Sequence, residues 1–228
     1  GSWAFGRVGP HALLGLDRPG LGRELWRSDG TGAGTVLLRN IAAGSDDAAP
    51  ILLGEVAGQR MLFSAQTLER GRELWVTDGS AAGTALLRDF ASGIASTEMK
   101  PIGWLGGDLL LAVVHQSGSL EIWRSDGTDA GTTLVRKVQR PPGPVFLTYG
   151  EADSALYGGE LYFALTDATS GSELWASDGT DGGTRRVADL RPGPDSSSPG
   201  RFVGDGVRLG FTSYLGAPSW GEEAWILD

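Results

Sequence analysis

The chain has 228 residues, of which 40% are hydrophobic, so it is long enough to bury a core in one domain. The formal net charge is −9 and no run of Lys or Arg is present, so nucleic acid is not an expected partner. Cysteine is absent, which excludes disulfides, thiolate metal sites and a cysteine nucleophile. The longest apolar run, Leu109 to Val114, is far shorter than the roughly 20 residues of a membrane helix, so we expect no membrane insertion.

One eight-residue pattern, Glu-Leu-Trp-x-Ser-Asp-Gly-Thr, recurs along the chain. Its full copies begin at Glu24, Glu73, Glu121 and Glu173, and a shortened copy begins at Glu223. The intervals between these glutamates are 49, 48, 52 and 50 residues. A period of this size is typical of propellers and other repeat arrays.

Each period contains apolar runs of strand length that are separated by Gly, Asp or Pro. In the second period four such runs cover residues 50–56, 60–65, 72–77 and 84–90. No stretch has a sustained period of 3.6 residues, so helices are not expected. Four short antiparallel strands, repeated, predict the blades of a β-propeller. The predicted blades are residues 3–41, 50–90, 100–138, 144–190 and 199–228.

The fourth run of the period is missing after the last copy of the motif. We therefore expect an all-β, five-bladed propeller with four-stranded antiparallel blades, in which the last blade lacks its outer strand. The predicted domain is the whole chain, residues 1–228. Two arrangements stay open: a ring that closes with a three-stranded blade, or a fragment of a longer array.

The motif tryptophan occupies the same strand position in every copy. The simplest interpretation is a large side chain that fills the gap between adjacent blades, and the alternative is an exposed platform for a sugar ring. The residues concerned are Trp26, Trp75, Trp123, Trp175 and Trp225.

The segment Asp-Gly-Thr-x-x-Gly-Thr joins the third and fourth strands of a blade. We expect its aspartates to accept backbone hydrogen bonds inside their own loops, and Gly30 and Gly34 to supply positive φ angles. No cofactor is expected. Calcium is the alternative, but it prefers six to eight oxygen ligands and each loop offers one carboxylate. The aspartates are Asp29, Asp78, Asp126 and Asp178.

The motif glutamates are weak candidates for catalysis. Equal spacing around a ring would keep them apart, whereas glycoside hydrolysis needs two carboxyl groups roughly 5–10 Å apart. We expect them to bond to backbone or arginine instead. The two histidines, His11 and His115, lie in different blades, so no histidine-based triad is expected.

A binding function is expected where the copies differ. Directly after the Gly of each first strand, the copies carry five chemically different residues, Arg7, Glu55, Trp104, Glu151 and Asp205. In propellers the first strand generally lines the axial channel, so these are the predicted binding residues, although solvated loop ends are the simpler interpretation. The longer segments 150–159 and 213–221 are candidate rim loops.

The four complete motif copies resemble the ELWxxDGT-repeat proteins, a family of secreted or surface proteins found mainly in bacteria. The resemblance covers nearly the whole chain, with departures at Ser80, Ile122, Ala224 and the pair Arg185-Arg186. It implies a β-propeller-like repeat and an extracellular or cell-surface location. It implies no general enzymatic activity.

These features predict a non-catalytic module that binds a glycan or a protein partner. Two alternatives stay open. One is a glycoside hydrolase or lyase in which Glu55, Glu151 and Asp205 serve as acid, base and pKa modulator. The other is a structural repeat within a larger surface protein.

Overall fold

The structure is a computed structural model that describes residues 5–139, 154–215 and 221–228. Every regular element in these ranges is a β-strand. The strands, numbered in chain order, are β1 (Phe5–Val8), β2 (His11–Arg18), β3 (Gly22–Ser28), β4 (Val36–Arg39), β5 (Ile51–Val56), β6 (Arg60–Thr67), β7 (Gly71–Thr77), β8 (Ala85–Arg88), β9 (Thr97–Leu105), β10 (Asp108–His115), β11 (Leu120–Ser125), β12 (Thr133–Val138), β13 (Ser154–Tyr157), β14 (Glu160–Asp167), β15 (Gly171–Ser177), β16 (Arg185–Ala188), β17 (Gly200–Gly204), β18 (Leu209–Tyr214) and β19 (Glu222–Leu227).

The strands form five antiparallel sheets, and in each sheet the strands neighbour one another in chain order. We call the sheets the first to fifth blades. The first four contain four strands each, and the fifth contains β17, β18 and β19 alone. The all-β prediction is confirmed, as is a last blade without an outer strand among the described residues. Closure of the blades into a ring stays a prediction.

The motif imposes the same irregularity on each four-stranded blade. Pairing between the third and fourth strands shifts register between the second and third motif residues, for example between Leu25 and Trp26 and between Leu74 and Trp75. The same shift occurs at Trp123 and Trp175. A β-bulge at this point increases the local twist of the strands. The sequence repeat is thus also a repeat of backbone geometry.

The sequence predicts one domain, and the chain contacts divide into two compact units. The first unit holds the described residues up to Pro101, with Gly107–Leu109 and Ser125–Thr132. The second holds Ile102–Gly106, Leu110–Arg124 and the described residues from Thr133 onward. The third blade contributes to both.

Each unit has cores that join neighbouring blades. In the first unit Leu13 and Leu25 of the first blade cluster with Phe63 and Trp75 of the second. In the second unit one cluster joins the third blade to Trp175 of the fourth, and another joins the fourth to the fifth. A blade cannot bury both of its faces alone, so each blade depends on its neighbour for a core.

Two predicted rim loops need correction. Among the described residues of the fourth blade the first strand is β13, and a turn at Gly158-Gly159 joins it to β14. Residues 154–159 are therefore a hairpin and not a rim loop, while residues 144–153 lie outside the described ranges. In the fifth blade β18 continues to Tyr214, so the predicted loop 213–221 begins inside a strand.

In the described part of the chain, no helix has the length and apolar character required to cross a bilayer.

Candidate functional site

The Asp-Gly-Thr loops are hairpins held by their own polar groups. Asp29 Oδ1 accepts hydrogen bonds from the Thr31 amide at 2.9 Å and the Thr31 hydroxyl at 2.8 Å. Asp78, Asp126 and Asp178 accept the equivalent amide at 2.8, 2.7 and 2.8 Å. These bonds hold the pKa of each aspartate below its ordinary value. The predicted structural role of the loop aspartates is confirmed.

The two loop glycines are needed for different reasons. Gly30 has a φ of 93°, as predicted. Gly34 does not have a positive φ, so that part of the prediction is wrong. A Cβ at Gly34 would lie 2.0 Å from Asp29 Oδ1, so this glycine allows the carboxylate to approach the backbone. The same close approach occurs at the equivalent glycines of the next three blades.

A hydroxyl pair closes each loop. Ser28 Oγ and Thr35 Oγ1 are 2.7 Å apart, and Thr77 and Thr84 form the same pair at 2.7 Å. The third and fourth blades repeat the contact at 2.8 and 2.7 Å. The polar residues of the motif loops are thus used within the scaffold.

Three motif glutamates bind the backbone that follows the fourth strand. Glu24 is fully buried and accepts the amides of Ile41 at 3.0 Å and Ala42 at 2.8 Å. Glu73 accepts the Phe90 amide, and Glu173 accepts the Leu190 amide at 2.8 Å. Burial raises the pKa of Glu24 and of Glu73 to about 7, and the backbone hydrogen bonds only partly offset this effect. The prediction that these glutamates bond to backbone is confirmed.

Glu121 of the third blade has different surroundings. It accepts a hydrogen bond from the Trp123 indole at 2.9 Å and lies 3.2 Å from His115 Nε2 and 3.1 Å from Lys137 Nζ. Burial raises the pKa of Glu121, but the hydrogen bonds from Trp123, Lys137 and His115 outweigh it and hold the pKa below its ordinary value. Glu223 of the fifth blade is exposed.

The motif tryptophans lie mainly between blades. Trp75 and Trp175 are 7% and 6% exposed and belong to the inter-blade cores described above. Trp225 is half-buried against the core that joins the fourth and fifth blades. Trp26 and Trp123 are also half-buried. The prediction of a mostly buried side chain therefore holds fully at two positions and partly at three.

Four of the five predicted binding residues lie in the described ranges, and all four are exposed: Arg7, Glu55, Trp104 and Asp205. Glu151 lies outside those ranges. Arg7 pairs with Ala12, which pairs with Ser28. Glu55 pairs with Met61, which pairs with Thr77. Ser28 and Thr77 hold the same position of the motif, so Arg7 and Glu55 occupy equivalent register positions.

In the fourth and fifth blades this register position belongs to other residues. Leu156 holds it in the fourth blade, since it pairs with Leu161, which pairs with Ser177. Gly204 holds it in the fifth, and Asp205 follows one residue later. Asp205 is therefore not at the register position of Glu55, and the predicted equivalence of Glu151 lies outside the described residues. The apolar runs of these blades can be aligned in more than one way, and the strand pairing decides between the alignments.

Asp205 also has a local role. Its Oδ1 accepts the amides of Val207 at 2.8 Å and Arg208 at 2.7 Å, and these bonds lower its pKa. A carboxylate held in this way stabilises its own turn. It is poorly suited to act as a general acid, which requires a raised pKa.

A cleft of about 400 Å³ opens in the first unit. One wall is the connection between the first and second blades, another is the β6–β7 hairpin, and the third is the connection that follows β8. The residues that line it are Ala42, Asp46, Asp47, Gln66, Thr67, Leu68, Gly71, Ile94 and Ser96.

The walls of the cleft are tied together by backbone contacts. Asp47 Oδ1 accepts the Arg23 amide at 2.7 Å, and Gln66 Nε2 donates to the Asp47 carbonyl at 3.1 Å. At Gly71, where φ is 66°, a Cβ would lie 2.4 Å from the Ala95 carbonyl, so the hairpin and the following connection approach closely. These contacts pre-form the shape of the cleft.

The lining combines carboxylates, an amide and hydroxyls with apolar groups. Leu68 and Ile94 are 73% and 77% exposed, so both present apolar surface beside the cleft. Asp46 is half-buried and Asp47 is exposed. No lining residue belongs to the repeated motif, and Gly71 comes nearest to it, two residues before Glu73. Sequence reasoning missed these residues, although they lie in connections where the copies differ.

The comparisons with known proteins concern the fold. No family model matches the chain, and no curated protein matches it. Among solved structures, a puromycin hydrolase mutant complexed with PGG matches at 18% identity with a TM-score of 0.54, over 96% of this chain and 33% of that one. The chain thus spans about a third of the length of this structure. At such identity the likeness shows a shared fold alone.

Two further structures match with lower scores. A lectin from Burkholderia pseudomallei matches at 11% identity and a TM-score of 0.43, over 96% of this chain and 68% of the lectin. An endo-arabinase from Bacteroides thetaiotaomicron matches at 15% identity and a TM-score of 0.35, over 95% of this chain and 88% of the arabinase. These likenesses are too weak to carry an argument about function.

Proposed function

We propose that the chain is a non-catalytic binding module of the ELWxxDGT-repeat type, built as a β-propeller, and that it binds a glycan in the cleft of the first unit. The observation that carries this proposal is the composition of the cleft. The polar groups of the motif are used inside the scaffold, whereas Asp46 lines an open cavity beside two exposed aliphatic side chains, together with Gln66 and Ser96, which also bond to the backbone of the cleft walls.

A sugar suits this combination of groups. Carboxylates and amide oxygens accept hydrogen bonds from neighbouring hydroxyls, and Leu68 and Ile94 offer apolar surface to the C–H face of a ring. The two aspartates and the net charge of −9 disfavour an acidic ligand. A neutral or amino sugar is therefore the expected class. We place this activity outside the cell, on the basis of the family resemblance.

The test is a glycan array followed by calorimetric titration of the best ligand. We expect Asp46→Asn and Gln66→Ala to weaken binding by at least about tenfold, because each removes a polar group from the cleft. Asp181→Asn serves as the matched control, since it neutralises an exposed carboxylate outside the cleft. The proposal fails if no glycan binds, or if both cleft variants bind as tightly as the parent.

The inner first strands provide a second candidate surface. Arg7 and Glu55 share a register position. Trp104 follows Gly103, which packs against the fourth blade much as Gly6, before Arg7, packs against the second. These exposed side chains are the ones that the sequence predicts at the mouth of an axial channel. If the affinity for a ligand falls with Glu55→Gln or Trp104→Ala and not with the cleft variants, the binding site lies on the first strands and not in the cleft.

Ring closure itself needs a direct test. Small-angle scattering distinguishes a compact disc from an open array through the longest distance within the particle. A scattering profile of an elongated particle would overturn the propeller and favour the alternative of a structural array.

A further inference from the structure

The cleft of the first unit carries negative charge that no basic side chain balances. Asp46 and Asp47 line it, and no Lys, Arg or His is among the lining residues. In the described part of the chain neither aspartate forms an ion pair, whereas Asp89 and Asp129 pair with arginines at 2.8 and 2.9 Å. Asp46 is also half-buried, so water compensates its charge only in part. A cation would complete this charge distribution.

The hydrogen bonds of the cleft walls leave most of the carboxylate oxygens unused. Among the described residues, the Arg23 amide, 2.7 Å from Asp47 Oδ1, is the one donor bonded to either carboxylate. The other oxygens of Asp46 and Asp47 can accept bonds from a ligand. The Gln66 amide is engaged at both ends, since Nε2 donates to the Asp47 carbonyl at 3.1 Å and Oε1 lies 3.5 Å from Arg72. The unused acceptors of the cleft are thus mainly charged ones.

The guanidinium of Arg72 lies behind this wall and is directed at the scaffold. It donates to the Ala49 carbonyl at 3.0 Å and to the Ser64 hydroxyl at 3.1 Å. The negative charge of Asp47 also reaches the buried Glu24, where it is one of the causes that raise the pKa of that carboxyl. The charge of the aspartates is therefore not neutralised by Arg72.

Thr67 and Ser96 supply hydrogen-bond donors to the same cleft. Their hydroxyl oxygens accept the amides of Arg70 and Arg72, each at 3.1 Å, so each hydroxyl keeps its hydrogen for a ligand oxygen. The cleft can therefore bind the uncharged hydroxyl groups of a sugar together with a cationic substituent.

We propose that the cleft is specific for an amino sugar with a free ammonium group, and that Asp46, assisted by Asp47, binds this ammonium. The inference rests on the proposed function, since it specifies which class of glycan the cleft binds. An ammonium group has three N–H donors and no acceptor, which matches the unused carboxylate oxygens. The C–H face of the same sugar would contact Leu68 and Ile94.

A neutral sugar is a less suitable ligand. Its hydroxyls can donate to the same oxygens, but they leave the charge of the half-buried Asp46 without a counterion. A hydrogen bond between an ammonium and a carboxylate is roughly twice as strong as one between neutral groups. Replacing the ammonium by an acetamide should therefore lower the affinity.

The experiment compares two tetrasaccharides by calorimetric titration of the full chain. One is β-1,4-linked glucosamine with free amines, and the other is its fully N-acetylated form. At about pH 6, where the amines are protonated, we expect the free amine to bind at least about tenfold more tightly in low salt. Sodium chloride at about 0.5 M should remove most of this preference, because it screens the charges.

Three variants test which carboxylate produces the preference. Asp46→Asn should reduce it to about twofold or less, because asparagine keeps the shape of the side chain and loses its charge. Asp47→Asn should reduce it by only about threefold, since Asp47 is exposed and shares one oxygen with the Arg23 amide. Asp181→Asn removes the same charge from an exposed position outside the cleft, and the preference should stay within about twofold of the parent value.

Equal or tighter binding of the N-acetylated form would overturn the ammonium site and leave a glycan site in the cleft. The same conclusion would follow if neither tetrasaccharide binds and a neutral glycan from the array does. An equal loss of preference in Asp46→Asn and Asp181→Asn would overturn the proposal by showing a general attraction between opposite charges. If no glycan binds at all, the proposed function fails as well. Circular dichroism of each variant confirms that the chain is folded before binding is measured.

Discussion

Glu24 and Glu121 occupy the same motif position in the first and third blades but have opposite surroundings. Glu24 is fully buried, accepts two backbone amides and has a pKa raised to about 7 by burial. Glu121 lies beside His115 and Lys137, and its pKa is lowered by the hydrogen bonds it accepts. The repeated sequence thus fixes the strand position of the glutamate. The residues around it, which do not repeat, determine whether its pKa is raised or lowered.

The largest expected effect is the loss of the buried glutamate. Glu24→Ala leaves the amides of Ile41 and Ala42 without an acceptor and creates a small cavity, so we expect a loss of about 3 kcal/mol in the free energy of unfolding. Glu121→Ala removes partly exposed contacts and should cost about 1 kcal/mol. Urea denaturation of both variants measures the difference. Equal losses would show that the two environments are energetically alike.

The pH dependence of stability gives the next effect, with opposite signs for the two residues. Because the pKa of Glu24 is about 7 in the folded state and 4.5 for an unperturbed glutamate, the folded chain keeps a proton that the unfolded chain releases between these pH values. Its contribution is present below pH 4.5 and is lost as pH rises to about 7, a change on the order of 3 kcal/mol. Glu121, with a lowered pKa, contributes stability above its ordinary pKa and loses it as pH falls.

Glutamine variants separate the two contributions. Glu24→Gln should flatten the decline of stability between about pH 5 and pH 7, and Glu121→Gln should reduce the loss in acid. The measurement is the free energy of unfolding at several pH values. A Glu24→Gln profile parallel to that of the parent would contradict the raised pKa.

A smaller loss of stability is expected at the loop glycine that contacts the motif aspartate, whose surroundings are the same in the four four-stranded blades. A Cβ at Gly183 would lie 2.0 Å from Asp178 Oδ1, so Gly183→Ala should displace the carboxylate and cost about 1.5 kcal/mol. Its neighbour Gly182 has open space and no positive φ, so Gly182→Ala is the matched control and should be neutral or slightly stabilising. Thermal unfolding compares the two. Similar melting temperatures would contradict the proposed close approach.

Most of the fold could be predicted from the sequence, because each copy of the repeat specifies its own local structure. Each of the four full copies of the motif specifies a strand, a bulge and a hairpin loop with the same internal hydrogen bonds. The roles of Asp29 and Glu24 depend on contacts within one blade and its following connection, so they could be predicted from one repeat.

The cleft could not be predicted in this way. Asp46, Gln66 and Ile94 lie 20 to 48 residues apart and meet only because two blade connections flank one hairpin. No local pattern places them together. The first strands of the fourth and fifth blades could not be aligned with the others for a related reason. Short apolar runs such as β13 allow several alignments, and only the hydrogen-bonded partners show that Leu156 is the equivalent of Glu55.

The smallest expected effect concerns calcium at the Asp-Gly-Thr loops. The sequence leaves calcium as an alternative, although each loop offers only one carboxylate. In each of the four loops the aspartate Oδ1 is already bonded to an amide two residues later, and in three loops a threonine hydroxyl also binds it. A calcium ion would have to displace these bonds and gather about five more oxygens from water or backbone. We therefore expect EDTA or millimolar calcium to change the melting temperature by less than about 1 °C, whereas Asp178→Ala should lower stability by about 1 kcal/mol with or without the ion. A loss of several degrees in EDTA that calcium restores, and that Asp178→Ala reduces, would show that the loops bind metal and that their hydrogen bonds rearrange to do so.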